Sequence, residues 1–171
     1  PNNLAGYTTS SSGGPNSIDP QMIWDATTNR YYYVMDSVFS AKDNRLAFGW
    51  SKTNNPTNFT SDWCHYEITQ GARFPDYPKL GDAAGFIEIG VNAFTSDGQG
   101  EGDFQGSDLF VINKPGAGSI CPKQSSLVIK AWANLTDNTG SLIFTPVPSN
   151  QIDDNAKGYV VAGNVTLPAT K

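Results

Sequence analysis

Residues 18–34, IDPQMIWDATTNRYYYV, are the stretch that decides the fold. An Asp-Pro step leads to Trp24 and Asp25, a short polar turn follows, and an aromatic and β-branched run then continues to Phe39. Aromatic and β-branched side chains suit a pleated, half-buried strand, and a cluster of Asp, Thr and Asn suits the turn before it. The stretch therefore predicts a strand that is entered from a turn, with no helix.

Similar segments follow along the whole chain, separated by clusters of Gly, Pro, Asn, Asp and Ser. These strand-like segments are residues 30–39, 45–51, 63–69, 85–94, 107–114, 125–132, 140–147 and 157–165. Many short strands with frequent turn residues are typical of all-β proteins. We therefore predict an all-β fold.

The segments recur weakly at an offset of 57 residues. The pairs at this offset are Asp19 with Asp76, Asp25 with Asp82, and Cys64 with Cys121. Each copy would hold about four strands, which is the content of a β-propeller blade. We predict that Asp25 and Asp82 occupy equivalent turns.

The offset divides the chain into four parts. They are an N-terminal loop or arm (1–17), a first blade-like repeat (18–75), a second blade-like repeat (76–147), and a partial third blade or tail (148–171). Propellers usually have four or more blades, so these copies would not close a ring. The prediction is thus antiparallel four-stranded repeats of the blade type in an incomplete ring, with a β-sandwich as the alternative.

Four motifs carry a resemblance to a known family. They are IDPQMIWDATTNRYYYV (18–34), WSKTNNPTNF (50–59) with Trp63, DYPKLG (76–81) and FQGSDLFVINK (104–114). Together they resemble exported β-propeller proteins of the sialidase-like kind, over residues 18–114 and more loosely to 165. The strict Asp box of sialidases, Ser-x-Asp-x-Gly-x-x-Trp, is absent, because the nearest stretch (40–48) lacks its glycine. The resemblance implies blade structure and says little about activity.

Composition and charge exclude several classes of protein. The 171 residues carry 11 basic and 16 acidic side chains, a net charge of −5, without a basic run that would favour nucleic acid. No apolar run reaches the roughly 18–20 residues of a membrane span. The chain begins at Pro1 without a signal peptide, and we interpret it as a piece of something larger. Sequons at Asn58, Asn134 and Asn164 fit an extracellular or cell-surface protein.

Residues 95–108, TSDGQGEGDFQGSD, suggest a calcium loop. The spaced oxygen-bearing side chains are Asp97, Gln99, Glu101, Asp103 and Asp108, with glycines between the first four. Calcium takes six to eight oxygen ligands on a tight turn, which this spacing could supply. The alternative is a polar connection between two strands, with glycine allowing positive φ. No cofactor other than calcium is expected.

The repeated aspartates could be interpreted as glycosidase acids, since that chemistry needs two facing carboxyl groups. Each lies at a repeated turn, however, where a side chain that caps backbone N–H groups explains an Asp without catalysis. Arg30 is expected to be the partner of Asp25. Sialidase-like chemistry also needs a cluster of arginines, and the chain has three in all. We therefore predict no catalytic residue.

Cys64 and Cys121 are the only cysteines, and an even count in an exported protein favours a disulfide. Equivalent positions in adjacent blades are close only near the ring axis, so free thiols remain the alternative. His65 lies on the opposite strand face from Cys64, which argues against a metal site or a catalytic dyad. We expect His65 to be a surface or packed side chain.

The aromatic residues could stack on sugars or pack between blades. The set is Trp24, Trp50, Trp63, Trp132 and Tyr31 to Tyr33, and alternation along the three tyrosines predicts at least one exposed ring. The function that these observations favour is a non-catalytic, exported β-propeller segment for binding or surface architecture. The alternatives are a fragment of a glycan-active hydrolase and a self-assembling β-module. Its partners would be the remaining blades or copies of itself, with a glycan or protein ligand.

Overall fold

The computed structural model describes residues 16–98, 101–116 and 121–164. The strands are β1 (Asn16–Asp25), β2 (Arg30–Ser40), β3 (Asp43–Ser51), β4 (Trp63–Gly71), β5 (Arg73–Ala83), β6 (Phe86–Ser96), β7 (Glu101–Asn113), β8 (Ile129–Trp132), β9 (Ile143–Pro148) and β10 (Val160–Asn164). A single 3₁₀ turn, Gln124–Ser126, precedes β8, and no α-helix occurs in these three ranges. The predicted all-β fold is confirmed.

The strands form two four-stranded sheets and one strand pair. The first sheet has the order β1-β2-β3-β4, the second has the order β5-β6-β7-β8, and β9 pairs with β10. Every ladder is antiparallel and joins strands that are consecutive in the chain. The prediction of antiparallel four-stranded repeats is therefore confirmed, and the sheets are open rather than closed into a ring.

The first strand of each sheet contains a bulge at a proline. Pairing skips between Ile18 and Gln21 in β1 and between Asp76 and Lys79 in β5. A proline has no N–H to give to a ladder, so a bulge that removes it from the pairing lets the strand continue. Strands β1 and β5 were not predicted from the sequence, because their prolines are typical of loops.

The same backbone device occurs a third time in β9. A residue with positive φ precedes a proline at Asp19 (49°), Tyr77 (54°) and Thr145 (52°). The bulges therefore align Asp19 with Tyr77, whereas the predicted offset aligned it with Asp76. The element-level repeat is present, but the residue-level pairing is out by one position in the first strand.

One face of each sheet contributes to a shared core. Tyr32, Val34, Leu46, Phe48, Trp50, Cys64 and Tyr66 of the first sheet pack with Leu80, Ile87, Ile89, Val91, Phe110 and Ile112 of the second. A smaller buried cluster, Tyr33, Met35, Ala47 and Trp63, lies on the opposite face of the first sheet, with Tyr31 and Phe59 against it. The prediction of an exposed ring at residues 31–33 was wrong, because both faces of β2 are covered: Tyr32 is 0% exposed, Tyr33 4%, and Tyr31 is half-buried.

Strand β9 packs on the other face of the second sheet. Successive residues of β6 face opposite sides of the sheet. Ile89 and Val91 face the first sheet, whereas Gly90 and Asn92 face β9. A Cβ on Gly90 would overlap the carbonyl oxygen of Pro146, so the two backbones are in close contact there. The first sheet, the second sheet and the β9–β10 pair thus form three successive layers.

Among the described residues, no helix has the length and apolar character needed to cross a membrane.

Candidate functional site

Asp25 and Asp82 meet at a buried lysine between the two sheets. The Lys114 ammonium lies 2.8 Å from Asp25 Oδ2 and 2.9 Å from Asp82 Oδ2, and all three side chains are at most 4% exposed. Gln151 donates from its backbone and its side chain to the Asp82 carboxylate. Both acids are therefore held by structural partners, and the sequence analysis missed Lys114.

The roles of the two acids differ. Asp25 ends β1 and accepts hydrogen bonds from the Thr27 and Thr28 amides, as a capping turn residue does. Asp82 pairs with Ile87 inside the β5–β6 ladder, one position before the strand ends. The prediction that they occupy equivalent turns was wrong, because the turn after β5 is shorter and the bulges fix a different alignment.

Burial is the largest single influence on the pKa values around this ion pair, although it does not always decide their direction. Burial would raise the pKa of Asp25, but hydrogen bonds from Lys114 and Thr28 outweigh it and lower that pKa. The phenol of Tyr32 lies beside the pair, and burial raises its pKa to about 12. Burial, and then the charge of Asp82, also raises the pKa of Glu88. The surroundings favour one compact charge arrangement.

The three arginines serve separate local contacts. Arg30 donates to the carbonyl of Ser51, Arg45 pairs with Asp43 and Glu67, and Arg73 pairs with Asp108 and bonds Asn134. The expected partnership of Arg30 with Asp25 was wrong, because Lys114 occupies that carboxylate. Each guanidinium has partners of its own, so the arrangement is not a shared pocket for a substrate carboxylate.

A second group of carboxylates lies at the junction of β1, β2 and β5. Asp19, Asp36 and Asp76 each offer an oxygen, and these oxygens all lie within 4.8 Å of one another. Asp19 is exposed, Asp76 is half-buried and Asp36 is fully buried. Asp19 and Asp76 were singled out from the sequence and Asp36 was not, although a charged residue inside an aromatic and β-branched strand was a signal for it.

The predicted calcium loop is dispersed along a hairpin. Glu101 begins β7, and Asp103 and Asp108 lie on this strand, five positions apart. At about 3.3 Å per residue that spacing is on the order of 15 Å, far beyond a shared coordination shell. Asp108 instead is buried against Arg73 and the Asn134 amide.

Asp108 is therefore not placed to share an ion with Asp103, since it lies five positions further along the same strand and pairs with Arg73. Asp97 and Asp103 are exposed. Gln99 lies outside the described residues, as does the side chain of Glu101. Calcium at the remaining positions stays a prediction.

A disulfide joins Cys64 of β4 to Cys121, with 5.4 Å between their Cα atoms. Cys121 lies in the segment that leads to β8, so the bond does not join equivalent strands. Beside it, Tyr66 donates to the Pro122 carbonyl, and the Gln124 amide bonds both the N–H and the carbonyl of Glu67. This segment of the second sheet therefore covers the edge strand of the first.

His65 points away from the disulfide. Its Nδ1 is 2.7 Å from the Tyr33 hydroxyl and its Nε2 is 3.2 Å from the Phe59 carbonyl. The neutral ring satisfies both contacts when Nε2–H donates to the carbonyl and Nδ1 accepts from the hydroxyl. Burial, with a smaller effect of the Lys52 charge, lowers the pKa of His65. This histidine is a packed structural side chain.

A cleft of about 290 Å³ lies at the ends of β4, β5, β7 and β8. Trp132, 47% exposed, forms one wall, and the ion pair of Arg73 and Asp108 lies beside it. An open aromatic ring next to fixed polar groups is suited to a ligand with apolar and hydroxyl-bearing faces.

The sequons lie at the surface. Asn58, Asn134 and Asn164 are exposed. The oxygen of Asn58 accepts hydrogen bonds from the amides of Thr60 and Ser61, and that of Asn134 bonds Arg73. Their glycosylation stays a prediction.

Comparisons of this chain with protein-family models, with curated proteins and with solved structures found no match.

Proposed function

We propose that this chain is a non-catalytic segment of an exported β-propeller and that it serves binding or surface architecture. The repeated junction between successive sheets carries the proposal. The first strand of each of the three layers has a positive-φ residue followed by proline, and β5 and β9 each pack on the sheet that precedes them. Radial stacking of four-stranded meanders through their first strands is the arrangement of propeller blades.

The chemistry of the acids supports a non-catalytic role. Asp25 and Asp82 share one ammonium, and the arginines have separate partners. A glycan-active hydrolase needs two carboxyl groups that flank a substrate, one of them free to transfer a proton. Here the repeated carboxylates are occupied by Lys114, Thr27, Thr28 and Gln151.

The disulfide supports an exported location. Disulfides persist in oxidising compartments and are rare in the cytosol. The pair Cys64–Cys121 fastens two separate sheets, a structural use of the bond. An extracellular or cell-surface location is therefore part of the proposal.

The class of ligand that the cleft favours is a glycan. The exposed face of Trp132 can stack on a sugar ring, and Arg73 and Asp108 can bond its hydroxyl groups. A glycan array probed with the wild-type chain and with Trp132→Ala tests this function, with Trp24→Ala, also an exposed tryptophan (43%), as the matched control. We expect binding that is lost only in Trp132→Ala. Binding that all three proteins share, or none shows, contradicts the glycan ligand.

A crystal structure of the chain tests the propeller arrangement separately. Blades of a four- to eight-bladed ring are related by rotations of roughly 45–90° about an axis near β1, β5 and β9. Aligned sandwich sheets differ by only about 30°. The proposal is contradicted if the two sheets differ by only about 30° and if no single axis relates them and the β9–β10 pair. Turnover of aryl glycosides that disappears in Asp82→Asn would favour the hydrolase alternative.

A second candidate, a self-assembling β-module, has one observation in its favour. Apolar side chains are exposed on and around the β9–β10 pair: Val147 (38%), Ile152 (97%), Tyr159 (57%) and Val161 (70%). Copies of the chain, or further blades, could cover them. Sedimentation at several concentrations tests self-assembly. Assembly requires a mass in solution above that of the 18.4 kDa monomer, and Val161→Glu should reduce that mass.

A further inference from the structure

We propose that Asp19, Asp36 and Asp76 form a calcium site that joins the first sheet to the second. Their carboxylates come from β1, β2 and β5, so one ion would contact both sheets. This site is distinct from the loop at residues 95–108. The proposal deepens the proposed function, because the ion would hold two successive layers together. The site does not require these layers to be propeller blades.

Asp36 is the observation that points to a ligand. It is 0% exposed, and neither carboxylate oxygen has a hydrogen-bond partner among the described residues. The nearby backbone donor is the Tyr77 amide, which lowers the pKa of Asp36 slightly. This amide is not placed for a hydrogen bond of good geometry to either Asp36 oxygen. A buried charge without partners costs several kcal/mol, so such a group usually has a counter-ion or a proton.

The second sheet shows how this position is satisfied without an ion. Asn92 occupies the position in the second sheet that Asp36 has in the first. Asp36 pairs with Ile18 and Asn92 pairs with Asp76, and each of these partners lies just before the bulge of its strand. The Asn92 oxygen accepts from the Thr145 amide and from the Ser107 hydroxyl, and its nitrogen donates to the Thr145 hydroxyl. An amide thus has partners for both its oxygen and its nitrogen where the first sheet has a carboxylate.

The three carboxylates occur where the first sheet meets the second (the first junction), and not where the second sheet meets the β9–β10 pair (the second junction). In the second junction, Tyr77 takes the bulge position of Asp19, and Phe144 precedes the bulge as Asp76 does in β5. Neither can bind a cation through a carboxylate. The fold therefore does not require acids at these positions, and their convergence at one junction needs a separate reason.

The charges of the site favour a cation. Burial, and then the charges of Asp19 and Asp76, raise the pKa of Asp36 to about 9. Lys79 is the neighbouring base, but its ammonium lies 2.8 Å from the centre of the Tyr77 ring and offsets little of this repulsion. A proton on Asp36 is the competing occupant.

The donor set indicates calcium among the metal ions. It contains oxygen atoms alone, without the nitrogen or sulfur that zinc and copper prefer. Two oxygens on one calcium ion, at 2.3–2.6 Å each, can be at most about 5 Å apart, and the 4.8 Å span meets that limit. The exposed position of Asp19 leaves one side for water ligands, which calcium with its six to eight ligands accepts.

Calorimetric titration with CaCl₂ and thermal unfolding in CaCl₂ or EDTA test the proposal. We expect calcium at 100 times its Kd to raise Tm by roughly 5–10 °C. Asp36→Asn should abolish this increase, or weaken binding at least tenfold, while its Tm in EDTA equals or exceeds that of the wild type. That second result follows because Asn92 shows an amide to be compatible with the position.

Matched variants separate this site from its rivals. Asp97→Asn with Asp103→Asn, in the predicted loop, should keep the calcium effect. If Asp36→Asn fails to fold, Asp19→Asn serves instead, since Asp19 is exposed. An unchanged calcium effect in both junction variants, equal melting in CaCl₂ and EDTA, or equal affinity for Mg²⁺ would each overturn the calcium assignment. None of these outcomes depends on glycan binding, so the proposed function is tested independently.

Discussion

Lys114 is the residue on which the junction between the two sheets depends most. Within the part of the chain that the structure describes, its ammonium is the single cation paired with Asp25 and Asp82, each of which is almost fully buried. Removing one partner of a buried ion pair leaves an uncompensated charge, which is far more costly than replacing the whole group.

Lys114→Met should therefore lower the free energy of unfolding by about 3–5 kcal/mol. Urea denaturation of the wild type and the variant measures the change. Lys130→Met is the matched control, because Lys130 is exposed on β8 of the same sheet, and it should change stability by less than ~0.5 kcal/mol. A loss below about 1 kcal/mol for Lys114→Met would show that the pair contributes little.

His65 should make stability depend on pH. Burial lowers its folded-state pKa below the usual value, so the folded protein prefers the neutral ring. The stabilisation is then complete above the unfolded pKa of about 6.5 and is lost as pH falls through the folded pKa. As the sole histidine, it gives one imidazole signal in NMR, whose titration midpoint should lie below 6.5.

Urea denaturation at pH 7.5 and pH 5.5 measures the consequence for stability. The wild type should lose more stability on acidification than His65→Gln, in which Tyr33 and Lys52 remain but the titrating imidazole is absent. Equal losses in the two proteins would assign the pH dependence to other groups.

At the residue scale the sequence indicated the important acids but not their use. Asp19, Asp25, Asp76 and Asp82 stood out by their spacing, and capping describes Asp25 well. Lys114 could not be identified, because its partners come from strands far away in the chain. Asp36 was missed because alternation along an aromatic strand does not reveal which polar side chain faces an acidic neighbour.

Strand β9 lies in close contact with β6 of the second sheet. Gly90 leaves no room for a side chain against Pro146, and the Asn92 amide fixes Thr145 beside it.

Gly90→Ala should thus displace β9 and destabilise the protein by about 1–3 kcal/mol, as overpacking does. Hydrogen exchange should show lost protection in β9 and β10 while the first sheet stays protected. Gly85→Ala is the control, since a Cβ there meets no atom within 4 Å. Equal effects of the two substitutions would mean that the close contact is not needed.

The disulfide should contribute to stability through the strands that it fastens. Its sequence separation of 57 residues corresponds to at most about 4 kcal/mol on the loop-entropy model. Reduction, or the double substitution Cys64→Ala and Cys121→Ser, should lower Tm, and reductant should have no effect on the double variant. Thiol titration of the unfolded, unreduced protein should find no reactive thiol, and two reactive thiols would contradict the bond.

Most elements could be predicted from composition and alternation, but the first strands could not. Pro20 and Pro78 read as breaks, and only the bulge beside each explains how the strand continues. Residues 101–106 read as a loop because of their glycines, yet they pair with the end of β6 in a long hairpin. Hydrogen bonding between neighbouring strands overrode local preference in both cases.

Among the described residues, regular structure is concentrated in the two sheets, and the connection between β9 and β10 contains no strand. Nearly all of residues 149–159 are exposed and lie outside the strands. Local opening is easiest where few apolar contacts and few backbone hydrogen bonds hold the chain.

Brief digestion with trypsin should therefore cut first at Lys157, which is exposed in this connection. Lys114, buried in its ion pair, should resist until the protein unfolds. Mass spectrometry of the first fragments identifies the site, and Lys157→Gln should delay cleavage. Early cleavage after Lys114 would contradict the assignment of order.

The pairing of each strand with its chain neighbour has a consequence for the time course of folding. A nascent chain could complete β1 to β4 before later strands exist, because no ladder of that sheet awaits a distant segment. Cys64 would then wait for Cys121 for about 3–11 seconds at a synthesis rate of roughly 5–20 residues per second. During that interval the thiol lies on the face that the second sheet later covers, so it stays open to other thiols until that sheet is made.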